Sequence, residues 1–184
     1  LQWNANPVSP AGYYTRQIKV DASARFPAGW QFGTALETAS RDGDTVHFKT
    51  TTFNTLVDSP IYAGKYFKRL DLDPGAKAGV HMDIVADDPK YLEIKPEQEK
   101  PFHNLVQQMY KLYGAHHYGH YDFLVSLSDK MGGEGLEHHQ SSEDGTGADF
   151  FTAWDKNALG RDLFSHEYNH SWDGKYRRAA DLWT

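Results

Sequence analysis

Residues 163–175 read LFSHEYNHSWDGK and contain two histidines, His166 and His170, four positions apart, with Glu167 directly after the first. Residues four apart lie on one face of an α-helix, with Cβ atoms about 5–6 Å apart. Two imidazoles placed in this way can converge on one ion, and a glutamate beside the first ligand can take a proton from water at that ion. The stretch therefore predicts a helix in which His166 and His170 are zinc ligands and Glu167 is the general base.

The helix around this motif is expected to run from about residue 158 to residue 173, and Gly174 follows as the residue that ends it. Leu159 and Leu163 share a stripe with the two histidines, so both imidazoles are expected to point inward. The alternative is an amphipathic helix whose buried histidines bond to backbone carbonyl groups without any metal. For a single histidine that alternative would be preferred, whereas the full H-E-x-x-H pattern favours the metal site.

The composition of the 184-residue chain indicates a folded protein that does not bind nucleic acid. Hydrophobic residues make up 39% of it and aromatic residues 14%, which is enough to offset chain entropy. The formal net charge is −6 and the basic residues are scattered, which argues against a nucleic-acid or anionic-membrane partner. There is no cysteine for a disulfide or a thiolate metal site. No apolar run approaches the ~20 residues of a membrane helix. The compartment stays open, with a periplasmic or secreted location favoured over the cytoplasm.

The first half of the chain has the pattern of short β-strands. Residues 12–85 contain about five runs rich in β-branched and aromatic residues, separated by turn signals such as Asp73-Pro74-Gly75. Strands at such spacing indicate an antiparallel sheet or sandwich.

The second half changes to a helical period. We expect a helix that begins at Pro101, where the missing N–H costs nothing, and ends at Gly114. Residues 121–128 then read as a buried strand, and the following polar stretch shows no strand pattern. The predicted fold class is α+β, with a β-rich domain at residues 1–87 and a second domain at residues 88–184.

The stretch GGEGLEH, residues 132–138, combines glycines with carboxylates. Taken alone, it reads as a Gly-rich turn with solvated charges. Glycines such as Gly133 and Gly135 also let another backbone approach, which an extended peptide needs if it pairs along a strand edge. A carboxylate beside such an edge, here Glu137, would bind a free α-amino group. On the second reading, residues 133–138 form an extended edge.

Together, GGEGLEH at 132–138 and HEYNHSW at 166–172 resemble the gluzincin aminopeptidases. LVDSPIYAGKY at 56–66 and WDGKYRR at 172–178 are similar to the glycyl aminopeptidase family within that group. These are large bacterial proteins with an N-terminal β-domain, a thermolysin-like catalytic domain and often a PDZ domain. The resemblance spans most of the chain. It implies a fragment that covers the end of the β-domain and the start of the thermolysin-like zinc peptidase domain.

The resemblance implies a zinc-dependent aminopeptidase that hydrolyses small N-terminal residues, such as Gly or Ala, from peptide substrates. His166 and His170 would bind the zinc ion, and Glu167 would be the catalytic base. Glu137 would bind the α-ammonium group of the substrate, with the backbone around Gly135 running beside the peptide. The resemblance thus implies that the edge at residues 133–138 lies close to the H-E-x-x-H helix, with Glu137 facing the same cleft as Glu167.

The third zinc ligand of the family is a glutamate from a helix further downstream, and we expect it beyond residue 184. Two carboxylates within the chain are candidate replacements. Asp173 is separated from His166 by about 10 Å along the helix axis, which is too far for both side chains to bind one ion easily. Asp181 lies past the end of the helix, and no sequence pattern marks it as a ligand. Since catalytic zinc sites use three protein ligands, we expect this chain alone to bind zinc weakly and to show little or no peptidase activity. An apolar surface exposed by truncation would be covered by self-association, or residues 177–184 would be disordered.

Two other functions stay open: a module that binds peptides without turnover, and a folding unit without activity of its own. A competing cluster, His116, His117 and His120, has a spacing that can bind metal, but histidines between a helix stop and a strand are usually solvated. Three further histidines are isolated in the sequence, and we expect them to be structural or solvent-facing: His47, His81 and His103.

Overall fold

The computed structural model describes residues 1–5 and 7–180 of the chain. Its strands are, in chain order, Lys19–Val20 (β1), Ser23–Arg25 (β2), Gln31–Gly33 (β3), Thr38–Asp42 (β4), Thr45–Phe48 (β5), Thr51–Thr52 (β6), Tyr62–Gly64 (β7), Tyr66–Asp71 (β8), Val80–Ala86 (β9), Tyr121–Leu127 (β10), Gly135–Glu137 (β11) and Ser141–Thr146 (β12). Its α-helices are Phe53–Val57 (α1), Pro96–Tyr113 (α2) and Asp162–Trp172 (α3), and 3-10 turns lie at Thr15–Gln17, Pro89–Leu92 and Ala158–Arg161. None of the helices in this described part of the chain is long and apolar enough to span a membrane.

A five-stranded mixed sheet organises the second half, with the strand order β11-β12-β10-β9-β8. The three middle strands are parallel to one another, and the two outer strands run antiparallel to their neighbours. Strand β10 is buried along its whole length, as expected for a parallel strand covered on both faces, and this confirms the buried strand predicted at residues 121–128. Helices α2 and α3 supply apolar side chains to the large core that includes Phe123 and Val125.

The first half consists of small antiparallel sheets, as its turn spacing predicts. They pair β1 with β6, β5 with β2 and β4, and β3 with β7. Their apolar side chains form a second core that includes Phe26, Val46 and Ile61. The predicted α+β class, with an antiparallel N-terminal region, is therefore confirmed.

The five-stranded sheet crosses the domain boundary predicted between residues 87 and 88. Strands β8 and β9 come before that point, yet β9 pairs in parallel with β10 over its full length. Strand pairing thus attaches residues 66–86 to the second half of the chain. Turn spacing could not reveal this, because it is the same whichever sheet a strand joins.

Helix α2 begins at Pro96, and the start predicted at Pro101 is wrong. Pro96 occupies the first helical turn, and the Gln98 side chain accepts a hydrogen bond from the Lys95 N–H at 2.8 Å, which caps the helix. The charged first turn hides this start, because it carries little apolar periodicity. Gly114 ends the helix as predicted, with a φ of 71° in the left-handed region that glycine favours.

Strand β12 lies in the stretch for which no strand was predicted. Its sequence is SSEDGT, and all six residues are buried. Two of its hydroxyl groups donate hydrogen bonds: Ser142 Oγ donates to Asp144 Oδ2 at 2.7 Å, and Thr146 Oγ1 donates to the Ser126 carbonyl at 3.1 Å. A hydrophobic pattern cannot identify such a strand, because its residues are polar or small and its burial follows from its position between β10 and β11 in the sheet.

Candidate metal centre and peptide-binding edge

Helix α3 packs on the sheet through Phe164, Tyr168 and Trp172, which recur every four residues and are all buried. The two motif histidines lie beside this stripe, and the His166 side chain is 66% exposed. The prediction that both imidazoles point inward is therefore wrong. The sequence predicted a buried stripe through Leu159, Leu163 and the two histidines. Leu159, however, belongs to the 3-10 turn before the helix and is exposed. The histidines instead face open space, where an ion and a substrate can reach them.

The rings of His166 and His170 converge, as their spacing predicts. Their Nε2 atoms lie 3.1 Å apart, close to the separation of two ligands around a tetrahedral zinc ion. His170 Nδ1 lies 3.0 Å from the Asp173 carbonyl oxygen, which can only accept a hydrogen bond, so Nδ1 carries the proton. The lone pair of His170 is therefore on Nε2, directed toward His166. The two converging Nε2 atoms fit a zinc ion, and the carbonyl group of Asp173 holds the His170 ring in the required orientation.

Glu167 lies between the histidine pair and strand β11. Its side chain is buried, and its Oε1 atom is 3.9 Å from His166 Nε2. Burial raises the pKa of the Glu167 carboxyl group, with a further increase from the charge of Glu137, while the two histidines lower it. Glu167 thus combines a shielded carboxylate with direct proximity to the proposed ion.

Strand β11 is an edge of the sheet within the described residues, because it pairs only with β12. A Cβ atom at Gly135 would overlap the Glu167 carboxylate, so Gly135 faces helix α3. Alternate residues of a strand point to the same face, which places Glu137 on that side too. Gly133 precedes the strand and packs against the Gly145 carbonyl oxygen. The structure thus brings the Gly-rich stretch and the motif helix together.

Substitution Gly135→Ala is expected to lower the free energy of unfolding by about 1–3 kcal/mol, because the added methyl would lie 2.6 Å from Leu163 Cδ1 and overlap Glu167. Gly160→Ala is the matched control, since nothing lies within 4 Å of its Cβ position. Urea unfolding of both variants measures the difference. Equal stability of the two would show that the strand and helix can separate without cost.

Sequence reasoning did not identify His138 as part of the site. This residue is only 4% exposed, and both ring nitrogens lie 3.1 Å from carboxylates, Nδ1 from Asp58 and Nε2 from Glu143. Each nitrogen faces a carboxylate oxygen, so the ring is held as an imidazolium. Burial opposes this charge, but the two hydrogen bonds outweigh it and raise the pKa of His138. The residue directly after Glu137 is thereby locked in place.

Asp58 connects this edge to two other parts of the chain. It follows helix α1, accepts a hydrogen bond from the His139 N–H at 2.9 Å, and lies 3.1 Å from Lys175 Nζ, just after helix α3. Burial works against its charge, but the bonds from His138 and His139 hold the pKa of Asp58 well below its usual range. The motif LVDSP, seen in the sequence only as a resemblance, thus anchors the candidate site.

Asp144 on β12 pairs with Gly135 in the strand register and is fully buried. Burial raises its pKa to about 8, and the charges of Glu167 and Glu143 act in the same direction. Its carboxyl group is therefore neutral at pH 7, which limits the negative charge beneath the site.

The competing histidines do not form a cluster of their own. His117 Nε2 lies 3.0 Å from Ser171 Oγ, His116 packs on the Tyr110 ring, and His120 turns toward Asp122. Residues 181–184, which include Asp181 and half of the stretch 177–184 where disorder was the alternative to self-association, lie outside the described residues.

Comparison with protein families finds matches at both ends of the chain. The peptidase M61 N-terminal domain matches residues 1–65, and the M61 glycyl aminopeptidase domain matches residues 160–184. The first match ends directly before β8, and the second contains α3. A comparison with curated protein sequences finds no significant match.

Solved structures share the fold at low sequence identity. The chain is similar to an aminopeptidase N family protein from Idiomarina loihiensis, with a TM-score of 0.67, 16% identity and coverage of 88% of this chain and 28% of that one. It is also similar to yeast LTA4 hydrolase, with a TM-score of 0.54, 18% identity and coverage of 88% and 24%. The chain is also similar to an M1 zinc metallopeptidase from Deinococcus radiodurans, with a TM-score of 0.50, 13% identity and coverage of 85% of this chain and 34% of that one.

The chain thus spans between about a quarter and a third of the length of these structures. The two family matches agree with the likeness inferred from GGEGLEH and HEYNHSW. The two ends of the chain are therefore similar to the N-terminal and catalytic domains of the M61 glycyl aminopeptidase family.

Proposed function

We propose that this chain supplies the metal-binding helix and the substrate-binding edge of a zinc-dependent aminopeptidase that removes small N-terminal residues such as Gly or Ala. The observation that carries the proposal is the 3.1 Å approach of the His166 and His170 Nε2 atoms beside the buried Glu167. The position of Glu137 on the same face of β11 supports an aminopeptidase over other peptidases.

His166 and His170 would hold the zinc ion, with a third ligand from a glutamate beyond residue 184. When bound, zinc polarises the carbonyl group to be cleaved and lowers the pKa of its water toward about 7. Glu167 is placed to accept the proton of the attacking water and to deliver it to the leaving amine. Its burial against Gly135 keeps bulk water away from this proton.

Glu137 would bind the free α-ammonium group of the substrate through a charge-assisted hydrogen bond. The backbone of β11, including Gly135, would pair with the extended peptide. Because Glu137 stands at a fixed place on the same face as Glu167, only a peptide bond close to the N-terminus would reach the base. The preference for a small first residue follows from the family likeness.

The test is hydrolysis of a glycyl or alanyl chromogenic amide by the full-length protein, with and without an N-acetyl group. We expect the free amine to be the substrate, and Glu137→Gln to lower its kcat/KM by about 10- to 100-fold, mainly through KM, since a charged hydrogen bond contributes about 1.5–3 kcal/mol. Glu134→Gln is the control, because Glu134 is an exposed carboxylate in the same stretch.

Equal hydrolysis of the free and acetylated amides would contradict an aminopeptidase. An unchanged KM in Glu137→Gln would remove Glu137 from substrate binding.

A further inference from the structure

A second group of metal-binding side chains lies on the sheet face opposite helix α3. His81 of β9 is the register partner of Asp122 of β10, and its Nδ1 atom is 3.1 Å from Asp122 Oδ1. His120 Nδ1 lies 2.6 Å from Asp122 Oδ2. One ligand atom from each of the three residues falls within 4.8 Å of the others. His81, expected to be isolated, and His120, expected to be solvated, thus meet at one buried carboxylate.

We propose that His81, His120 and Asp122 form a second divalent metal site, suited to zinc, separate from the H-E-x-x-H helix. Two imidazoles and one carboxylate are a set of three protein ligands that zinc accepts, with a fourth position left for water. Asp122 is 1% exposed and fixed between two strands, so the site has one rigid ligand and two that can adjust.

The charges around the cluster favour a cation. Asp83 and Asp122 are both buried carboxylates on this face, whereas Arg69 binds Asp83 with two hydrogen bonds of 2.6 Å and is 3.6 Å from Asp122. One guanidinium therefore compensates one of the two carboxylates. A divalent metal ion held by Asp122 and the two imidazoles would compensate the remaining negative charge.

The cluster is also accessible. The side chains of His81 and His120 are 26% and 24% exposed, and they line a cleft of about 620 Å³. The far wall of this cleft comes from the N-terminal region and includes Glu37, whose charge acts on His120. An ion can therefore enter from solvent, and a bound ion would have space for a water molecule or a small anion.

The experiment uses the chain with His166→Ala and His170→Ala, which removes the motif site, and titrates it with zinc by calorimetry and with cobalt(II) by visible absorption. We expect one equivalent of metal to remain bound, and addition of His81→Gln or His120→Gln to weaken it by at least about 100-fold, more than the effect of losing an outer-shell partner. His103→Gln is the control, because His103 is a half-buried histidine bound to the Leu72 carbonyl.

Circular dichroism and thermal unfolding without metal show which variants are folded, and His81→Gln and His120→Gln serve as independent tests. Zinc should raise the melting temperature of the chain that lacks the motif histidines, and not that of the folded variants that also lack His81 or His120. Failure to bind zinc or cobalt in that chain would overturn the proposal and leave an ionic network only. Metal binding that survives both glutamine substitutions would also overturn it. Neither result depends on peptidase activity.

Discussion

Replacement of Glu167 by glutamine is expected to lower the turnover of the proposed zinc aminopeptidase, assayed as the full-length protein, by about 100- to 10 000-fold, the usual contribution of general acid–base catalysis. Glutamine has nearly the same shape as glutamate and fits the buried position between the motif helix and Gly135. It cannot accept a proton from water, however. The proposed zinc ligands His166 and His170 are untouched, so zinc stoichiometry and peptide affinity should be retained.

The measurement is kcat on a glycyl amide together with calorimetric titration of zinc and of an unreactive peptide. Asp162→Asn is the control, because Asp162 is an exposed carboxylate in the first turn of the same helix. Full turnover in Glu167→Gln would exclude Glu167 as the base. A protein that binds the peptide but never cleaves it, with or without Glu167, would instead be the peptide-binding module that the open edge of β11 also allows.

The second large effect is on stability: His138→Ala is expected to lower the free energy of unfolding by about 3–5 kcal/mol, as for a buried ion pair that loses one partner. Removal of the imidazolium leaves Asp58 and Glu143 facing each other without the cation that separates them. Glu143 is 1% exposed and cannot be solvated where it lies. Denaturant unfolding measures the loss.

Two further variants identify the cause. Glu143→Gln added to His138→Ala should recover part of the loss, because it removes the uncompensated buried charge. His103→Ala should cost much less, since that ring makes one hydrogen bond to a backbone carbonyl. A loss below about 1 kcal/mol in His138→Ala, or no recovery with Glu143→Gln, would contradict the ionic account.

The stability difference between the unsubstituted chain and His138→Ala should also depend on pH. The pKa of His138 is raised from 6.5, so its contribution is complete below pH 6.5 and is lost as pH rises through the folded value. Folding lowers the pKa values of Asp58 and Glu143 from 3.8 and 4.5, respectively. Their contributions to stability are therefore complete above about pH 4.5 and are lost as the pH falls through their lowered pKa values in the folded protein. The difference should therefore be largest between about pH 4.5 and pH 6.5 and shrink as the pH rises through the raised pKa of His138.

Local spacing was sufficient for the parts of the site that lie within one element. The four-residue step from His166 to His170 predicts convergent rings, since the geometry of an α-helix is the same in any protein. In the same way, Gly114 marks the end of α2, and the apolar run at residues 121–128 marks a buried strand. The residues of the Gly-rich stretch by themselves allowed both a turn and an edge strand, and the edge was favoured only through the family resemblance.

Contacts between segments far apart in the chain were decided only by the tertiary structure. His138 meets Asp58 across the boundary between the two halves, and His81 meets His120 because β9 and β10 pair in parallel through a long crossover. No local pattern encodes such a register. Strand β12 was missed for the same reason, since its polar residues are buried only because the strand lies between β10 and β11 in the sheet. The exposure of the motif histidines also depends on which face of α3 packs on the sheet. Because the face with Phe164 and Tyr168 is buried, the face with the histidines is turned toward solvent.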